Sequence, residues 1–451
     1  EGEDAGLVRA DVVVLALGWL EASAHDGVAG GLPAQATWIP PGHPAEQDLD
    51  LIPDGARVLV RGLGMSRFDA VSLLTIGRGG EFVPAGEGLT YRPSGREPVL
   101  HVGTRRGVPF RAKVSMAGAE RPVAGPHPAL RAVLASGSGP LTAADGLLAA
   151  VVQDARDAVA NAGGDPDDLS LAALESPLAG GLWPSWQEAH AATLADFTRD
   201  LEQARIGATS PLKAAHRSIG ESRKIIAGAL EGRGIDASAW PEYQRILRLG
   251  AMLAGGPPLE RAEQLLALVN AGIVHFTGPA VTIEASGDDD GGALVARSPH
   301  VGGGGAGGGG ADAPRADILL DAWMHAPSLA TTRDPLLLGL LEDGLVREHR
   351  VALPGANGGE DGTEVSGPAS GAIDVDPRTG EVVNAAGARQ PRLIALGIPT
   401  EGARAFTILS PFPGVDERAI DECERAAEHI AAILDADSTA GADTDADADA
   451  G

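Results

Sequence analysis

The stretch RVLVRGLGMSRFDAVSLLTIGRGG, residues 57–80, reads as an apolar strand, a turn with two glycines and an amphipathic helix. Gly62 and Gly64 would let a phosphate group approach the backbone, and the free N–H groups at the start of the helix would face that anion. Arg67 stands where the third glycine of a GxGxxG motif would be. The stretch therefore predicts either a dinucleotide-binding turn or a strand-to-helix turn with a structural role alone.

Arginines cluster in the segments that follow this turn. They occur in TIGRGG, YRPSGREP and GTRRGVP, as Arg78, Arg92, Arg96, Arg105 and Arg106. Guanidinium groups bind phosphate in a bidentate manner, so the group as a whole favours an anionic ligand such as NADP. For any single arginine, an ion pair with the acidic surface is the alternative.

The surrounding sequence indicates an α/β fold. ADVVVLAL, residues 10–17, is a continuous apolar run ended by Gly18, which is typical of a strand buried on both faces of a parallel sheet. Residues 57–112 continue with short strands broken by glycine and proline around one helical segment. A parallel sheet with helices packed on it is therefore expected near the start of the chain.

Between residues 140 and 272 the apolar period becomes helical. Thr142 with Asp145, and Ser185 with Glu188, resemble capping boxes, and Ser210 before a proline is a further helix start. The last helix, PPLERAEQLLALVNAG, leads directly into a strand, IVHFTG. The glycine run at residues 300–310 is expected to be a surface loop between two strands of one domain.

The C-terminal part contains a strand, a loop and a helix. LIALGIPTEG, residues 393–402, is a strand that runs into a loop, and a helix is expected from near Asp416. On that helix Cys423 falls in an apolar stripe, which predicts a small core residue and no nucleophile. The acidic tail, residues 435–451, lacks the apolar residues for a core and is expected to be disordered.

Composition excludes several classes of function. The formal net charge of −27 argues against nucleic acid and anionic membranes as partners, and no run approaches the roughly 20 apolar residues of a membrane-spanning helix. A single cysteine excludes an internal disulfide and a thiolate zinc cage, and favours the cytoplasm. His216 and His325 belong to no metal-ligand spacing, and no GxSxG, P-loop or calcium-loop motif is present. No metal site and no catalytic residue are therefore assigned.

Several segments together resemble one family. ADVVVLALG, PPGHPAEQDLDLIPDGARVLVRGLGMSRFDAVSLLTIGRGGEF, YRPSGREPVLHVGTRRGVPF, TRDPLLLGLLEDGLVREH and GIPTEG are similar to the FAD/NAD(P)-binding protein family of bacterial flavoproteins, over most of residues 8–434. SPLKAAHRSIGESRKI and GPPLERAEQLLALVNAGIVHFTGP resemble the helical region of that family. The resemblance implies a Rossmann-like FAD/NAD(P)-binding fold with an inserted helical region. It divides the chain into a dinucleotide-binding region (1–135), a mainly helical region (136–272), returning strands with the C-terminal helix (273–434) and the tail (435–451).

The resemblance also implies a function. Members of this family are similar to flavin-dependent monooxygenases, in which NAD(P)H reduces FAD and a small-molecule substrate or oxygen accepts the electrons. The implied cofactor-binding residues are Gly62, Gly64, Arg96 and Arg105 for the nucleotide, and Pro399, Thr400, Glu401 and Gly402 at the border of the flavin. The first GxGxxG turn of the family would precede ADVVVLALG, and none stands before residue 8, so the chain is expected to be N-terminally truncated. The loop after PTEG also departs from the family, because ARAFTILSPFPG replaces a stretch with tryptophan and an RPG turn.

Two other classes of function stay open at this point. One is a non-catalytic nucleotide-binding or regulatory module that keeps the fold without turnover. The other is an interaction protein that uses its helical region as a partner surface. The identity of the substrate, the choice between NADH and NADPH, and the oligomeric state are not fixed by the sequence.

Overall fold

The computed structural model describes residues 8–20, 32–33, 35–86, 88–114, 125–286, 293–302, 312–325, 327–351, 367–407 and 418–448. Within these residues the helices are α1 (Met65–Thr75), α2 (Pro128–Ala135), α3 (Leu147–Asn161), α4 (Leu171–Glu175), α5 (Trp186–Ile206), α6 (Pro211–Arg233), α7 (Trp240–Ala254), α8 (Leu259–Asn270), α9 (Pro335–Glu342) and α10 (Arg418–Ala448). The strands are β1 (Val13–Leu15), β2 (Thr37–Ile39), β3 (Arg57–Arg61), β4 (Glu81–Ala85), β5 (Gly88–Arg92), β6 (Val99–Gly103), β7 (Val274–Phe276), β8 (Thr282–Ala285), β9 (Leu294–Arg297), β10 (Arg315–Ala316), β11 (Ile318–Asp321), β12 (Glu348–Arg350), β13 (Ala369–Ile373), β14 (Glu381–Val383) and β15 (Arg389–Ala395).

The centre of the molecule is a parallel sheet of five strands in the order β2-β11-β3-β6-β7. Its middle strand, β3, reads as a continuous apolar run because both of its faces are covered. Val58, Leu59 and Val60 are accordingly almost inaccessible to solvent. The expected α/β architecture with a parallel sheet is confirmed.

Different layers cover the two faces of this sheet. On one face α1, α5 and α8 pack through apolar side chains such as Phe68, Phe197 and Leu265. On the other face lies an antiparallel sheet in the order β10-β9-β8, whose Leu294 packs with Leu59 and Leu319. The described part of the connection from β7 to β11 therefore contains three strands, which form a layer of their own. The loop predicted at residues 300–310 lies for the most part outside the described residues.

The helical unit, residues 125–254, is inserted between β6 and β7, and α3, α6 and α7 form its core. The capping signals in the sequence are confirmed. The Ser185 hydroxyl accepts the N–H of Glu188 at 3.2 Å, and the Ser210 hydroxyl accepts that of Lys213 at 3.2 Å. Thr142 opens a reciprocal capping box, here on a short 3₁₀ turn.

The C-terminal unit contains β1, α9 and β12 to β15. β1 pairs in parallel with β15, so the ADVVVLAL segment does form a parallel strand. Its partner, however, lies near the end of the chain, and Val13 and Val14 remain partly exposed. The predicted boundary at residue 273 divides the five-stranded sheet, because β7 and β11 pair with β6 and β3 and thus belong with the first unit.

The last helix, α10, buries a face that the sequence did not identify. Glu422, which pairs with Arg404, and Ala426 are buried, whereas Cys423 is exposed. The prediction that Cys423 is a core residue is wrong, because the buried face lies beside the apolar stripe and contains an ion pair. The helix continues to Ala448, through most of the tail for which the sequence predicts disorder; alanine, which is frequent there, favours helix. Among the described residues, no helix combines the length and apolar character needed to cross a membrane.

Candidate functional site

The glycine turn after β3 allows a close approach that only glycine permits. Gly62 has a φ of +127°, and a Cβ atom built on it would lie 2.4 Å from the carbonyl oxygen of Ala322. Its N–H donates to the carbonyl of Gly103 at 3.1 Å. Gly64 is the N-cap of α1 and supplies no side chain to cap the helix. The first N–H groups of α1 therefore have no capping side chain from Gly64 and would face a ligand bound at the turn.

This turn lies at the carboxyl edge of the parallel sheet. From β3 the chain passes to β6 and β7 on one side, and it later returns to β11 on the other. In open α/β sheets a ligand crevice forms outside the carboxyl ends of the strands, at the point where the connections diverge. Gly62 and Gly64 stand at that point.

A buried carboxylate fixes the neighbouring strand end. Asp321, the last residue of β11, is inaccessible to solvent and accepts hydrogen bonds from Arg61 Nε at 2.6 Å and from two indole N–H groups. The indoles are those of Trp38, at 2.8 Å, and Trp323, at 3.0 Å. Sequence reasoning missed Asp321, and the only available signal was an acidic residue at the end of an apolar strand. The contacts hold the end of β11 against β3, beside the glycine turn.

Positive charge gathers at the carboxyl end of β6. Arg105 is exposed there, and Arg106 lies near it and near Arg248 of α7. Burial, followed by the neighbouring Arg105 charge, lowers the pKa of Arg106. The Thr104 hydroxyl accepts the N–H of Gly107 at 3.0 Å and closes the turn that carries both arginines. An anion at this edge would relieve the repulsion between them.

Arg96 lies at the opposite end of the sheet. Its Nε is 3.0 Å from Asp54, and both residues precede the strands β6 and β3 that follow them. Arg78 also pairs with Asp54, at 3.4 Å. The structure thus brings Gly62, Gly64 and Arg105 to one edge of the sheet and places Arg96 at the other.

Arg67 occupies the first turn of α1 and is completely buried. Its guanidinium lies 4.2 Å from the centre of the Phe68 ring. Within the described part of the chain none of its three guanidinium nitrogens has a hydrogen-bond partner. Burial lowers the pKa of Arg67 to about 9. A cation is therefore held beside the glycine turn at the position of the motif's third glycine.

The loop after β15 is fixed mainly by its own contacts. Pro399 and Thr400 are buried, and the Thr400 hydroxyl donates to the carbonyl of Gly397 at 2.8 Å. The Glu401 carboxylate accepts the N–H of Thr407 at 2.8 Å and its hydroxyl at 2.7 Å. Gly402 has a φ of +120°, and a Cβ there would lie 2.9 Å from Ser370 Oγ. The contact of this loop with a flavin stays a prediction, and Glu401 already has a role within the loop.

Two cavities border this loop. The smaller, about 20 Å³, is lined by Pro399, Trp19 and His325. The larger, about 500 Å³, lies between the helical unit and the C-terminal unit. The larger volume falls within the range of about 300–1,000 Å³ that is usual for small-molecule sites.

Of the two histidines singled out in the sequence, His325 contacts the backbone and His216 is buried. His325 Nε2 lies 2.6 Å from the carbonyl of Leu20. His216 is buried, and burial, with the nearby charges of Lys213 and Arg111, holds its pKa well below the usual value. Over the described residues no group of three or more His, Cys, Asp or Glu side chains is arranged to hold a metal ion.

No family model matches this chain, but curated relatives align with most of it. An L-aspartate N-monooxygenase (nitrosuccinate-forming) from Streptomyces cremeus is 31% identical, over 95% of this chain and 69% of its own length. A protein with the same description from Streptomyces davaonensis is 30% identical, over 88% of this chain and 65% of its own. Nitrosuccinic acid synthase from Aspergillus oryzae is 29% identical, over 86% and 62%. The chain thus spans roughly two thirds of the length of these relatives.

Proposed function

This chain belongs to the flavin-dependent monooxygenase family that contains the L-aspartate N-monooxygenases, and we propose that it N-oxygenates a small amino acid such as L-aspartate. In this proposal NAD(P)H is the reductant and FAD is the cofactor. The observation that supports the nucleotide site is the position of the glycine turn, which lies at the carboxyl edge of the parallel sheet and directly before the N-terminus of α1.

The redox chemistry, namely acceptance of hydride from NAD(P)H and activation of dioxygen, would be supplied by the flavin when it is bound. One oxygen atom enters the substrate and the other leaves as water. The overall balance is amine, O₂, NAD(P)H and a proton in, and hydroxylamine, water and NAD(P)⁺ out. The protein therefore has to bind the two nucleotides, orient the amine and keep bulk water away.

The nucleotide site assigned here is a Rossmann-like unit made of β3, α1 and β6. The pyrophosphate of NAD(P)H would be held by Gly62, Gly64 and the N–H groups of α1. Arg105 and Arg106 lie at the end of the next strand, where an arginine binds the 2′-phosphate that distinguishes NADPH from NADH. Arg96 is not included, because its partner Asp54 lies at the other end of the sheet. We therefore infer a preference for NADPH.

The flavin would border the loop that follows β15. Gly402 would offer it backbone surface, whereas Pro399 and Thr400 are buried and would support the loop from behind, with Thr400 held by Gly397. The cavity of about 500 Å³ beside Gly402 leaves room for a substrate next to the ring.

Steady-state kinetics on single arginine variants would test the nucleotide site. In Arg105→Ala, KM for NADPH should rise roughly 10- to 100-fold with KM for NADH nearly unchanged, because a charge-assisted contact to phosphate is lost. Arg96→Ala is the matched control and should leave both values at the wild-type level. Equal KM values for NADPH in Arg105→Ala and wild type would remove Arg105 from the site.

One observation favours the alternative of a non-catalytic module. The Phe110 ring lies 3.5 Å from the position of a Cβ on Gly64, and the Phe110 N–H donates to the Leu63 carbonyl at 3.1 Å. The chain itself therefore covers part of the turn. Flavin absorbance that bleaches on anaerobic addition of NADPH would exclude the module, whereas a colourless protein that does not consume NADPH would favour it.

A further inference from the structure

Most charged groups that line the larger cavity are already engaged within its wall. Asp374 is held by Arg347, with 2.6 Å between Oδ2 and Nε. Arg404 is paired with Glu422. The Glu401 carboxylate is occupied by the backbone and hydroxyl of Thr407.

Arg350 is the exception among the described residues that line this cavity. Among the described residues its hydrogen-bond partner is the carbonyl of Gly367, 3.2 Å from Nη1, and no described carboxylate pairs with it. A guanidinium carries five N–H donors in a planar fork. Within the described part of the chain most of these donors have no partner, and because Arg350 is exposed they can reach an occupant of the cavity.

A strand irregularity brings a second polar group to the same wall. Neighbouring side chains of a regular strand point to opposite faces. The pairing of β12 with β13 shifts register between Glu348 and Arg350, and both His349 and Arg350 line the cavity. Such bulges redirect side chains and are frequent beside active sites.

His349 is held in position by a neighbouring strand. Its Nδ1 lies 2.9 Å from the hydroxyl oxygen of Ser370 on β13. Burial lowers the pKa of His349; the charge of Asp374 opposes this effect and that of Arg347 adds to it. Arg350, Glu401 and Arg404 are the other charged groups that line the same cavity. Burial thus favours the neutral imidazole, which does not compete with Arg350 for an anion.

We propose that this cavity is the amino-acid site and that Arg350 binds a carboxylate of the substrate, with His349 facing the substrate's polar end. The inference rests on the proposed function, which supplies the substrate class. Arg350 is thereby a specificity-determining residue, because a guanidinium binds a carboxylate through two parallel hydrogen bonds. Gln244 of α7 adds a polar group from the helical unit.

Calorimetric titration of the full chain with L-aspartate tests this assignment without relying on turnover. The dissociation constant should rise about 10-fold or more in Arg350→Met and recover in part in Arg350→Lys, which keeps the charge but loses the fork. Arg199→Met, at an exposed site on α5, removes the same charge and should bind as wild type does. Circular dichroism and the thermal midpoint establish that each variant is folded.

The outcomes separate the two proposals. Equal L-aspartate affinity in folded Arg350→Met and wild type would overturn the role of Arg350, even if the protein oxidises NADPH. If the wild-type chain oxidised NADPH but did not bind L-aspartate, the cavity would not be a site for this amino acid. The proposed reduction of FAD by NADPH would be unaffected by that result. Loss of NADPH oxidation together with intact, Arg350-dependent binding of L-aspartate would count against the proposed function and keep the site.

Discussion

Replacement of Gly62 by a larger residue has a direct steric consequence. In Gly62→Ala the new methyl group meets the Ala322 carbonyl at 2.4 Å, and the backbone holds a positive φ of +127°. Strained backbone of this kind costs about 1–3 kcal/mol, and the clash adds to it. We expect the free energy of unfolding to fall by about 3 kcal/mol and NAD(P)H binding to weaken. Urea titration, followed by fluorescence of the tryptophans, measures the first effect.

Gly55→Ala separates the two contributions. Gly55 also has a positive φ, of +70°, but a Cβ there would have no atom within 4 Å. It should lose only about 1 kcal/mol, the cost of the backbone conformation alone. If Gly62→Ala and Gly55→Ala unfolded at the same urea concentration, the close approach to Ala322 would not contribute to the loss of stability in Gly62→Ala.

At the scale of elements, three histidines join β6, β7 and α5. His101 and His275 stand opposite each other in register with ring centres 5.2 Å apart, and the His190 ring lies 5.8 Å from that of His275. His190 Nδ1 accepts the N–H of Phe276 at 2.9 Å. Burial, with the charges of His275, Arg57 and His190, lowers the pKa of His101 to about 4. Packing of these elements therefore favours the neutral form of the His101 ring.

This arrangement predicts acid sensitivity. The folded-state pKa of His101 lies below its unfolded value of 6.5, so the unfolded chain takes up the proton first as the pH falls. Above pH 6.5 His101 is neutral in both states and should not lower the free energy of unfolding. Between about pH 6.5 and about pH 4 it should lower that free energy progressively, by up to about 3 kcal/mol. Urea midpoints measured across this window should fall less steeply in His101→Gln than in the wild type. If the urea midpoints of the two proteins fell equally with pH, His101 would not be the cause of the acid sensitivity.

Features that depend on short-range contacts within an element can be predicted from the sequence. The strand, turn and helix around Gly62 follow from local periodicity, and the caps at Ser185 and Ser210 follow from short-range hydrogen bonds. Arg96 and Arg105 are close in sequence, but β6 lies between them, and a strand advances about 3.3 Å per residue. Spacing along the chain therefore grouped arginines that the fold separates. Asp321 and Arg350 could not be identified in advance, because their roles depend on partners far away in sequence or on a shifted strand register.

At the scale of the whole molecule, charge is the dominant feature. A net charge of −27 makes the compact state repel itself. The Debye length falls from about 30 Å at 0.01 M salt to about 3 Å at 1 M, so added salt screens this repulsion. We expect the thermal midpoint to rise by several degrees between roughly 0.02 and 0.5 M sodium chloride, as a calorimetric scan would record. The same increase in salt near pH 4.7, the isoelectric point, should raise the thermal midpoint less. An equal rise at that pH would mean that net charge is not the cause.

The position of β11 also governs how the chain can fold as it is made. β2 and β3 emerge from the ribosome within about 20 residues of each other, yet the place between them belongs to β11, about 250 residues later. At synthesis rates of about 5–20 residues per second, the two strands wait roughly 13 to 50 s with unpaired edges. Premature pairing between β2 and β3 would have to be undone before β11 could enter. Nascent chains halted before residue 318 should therefore be the species that chaperones retain.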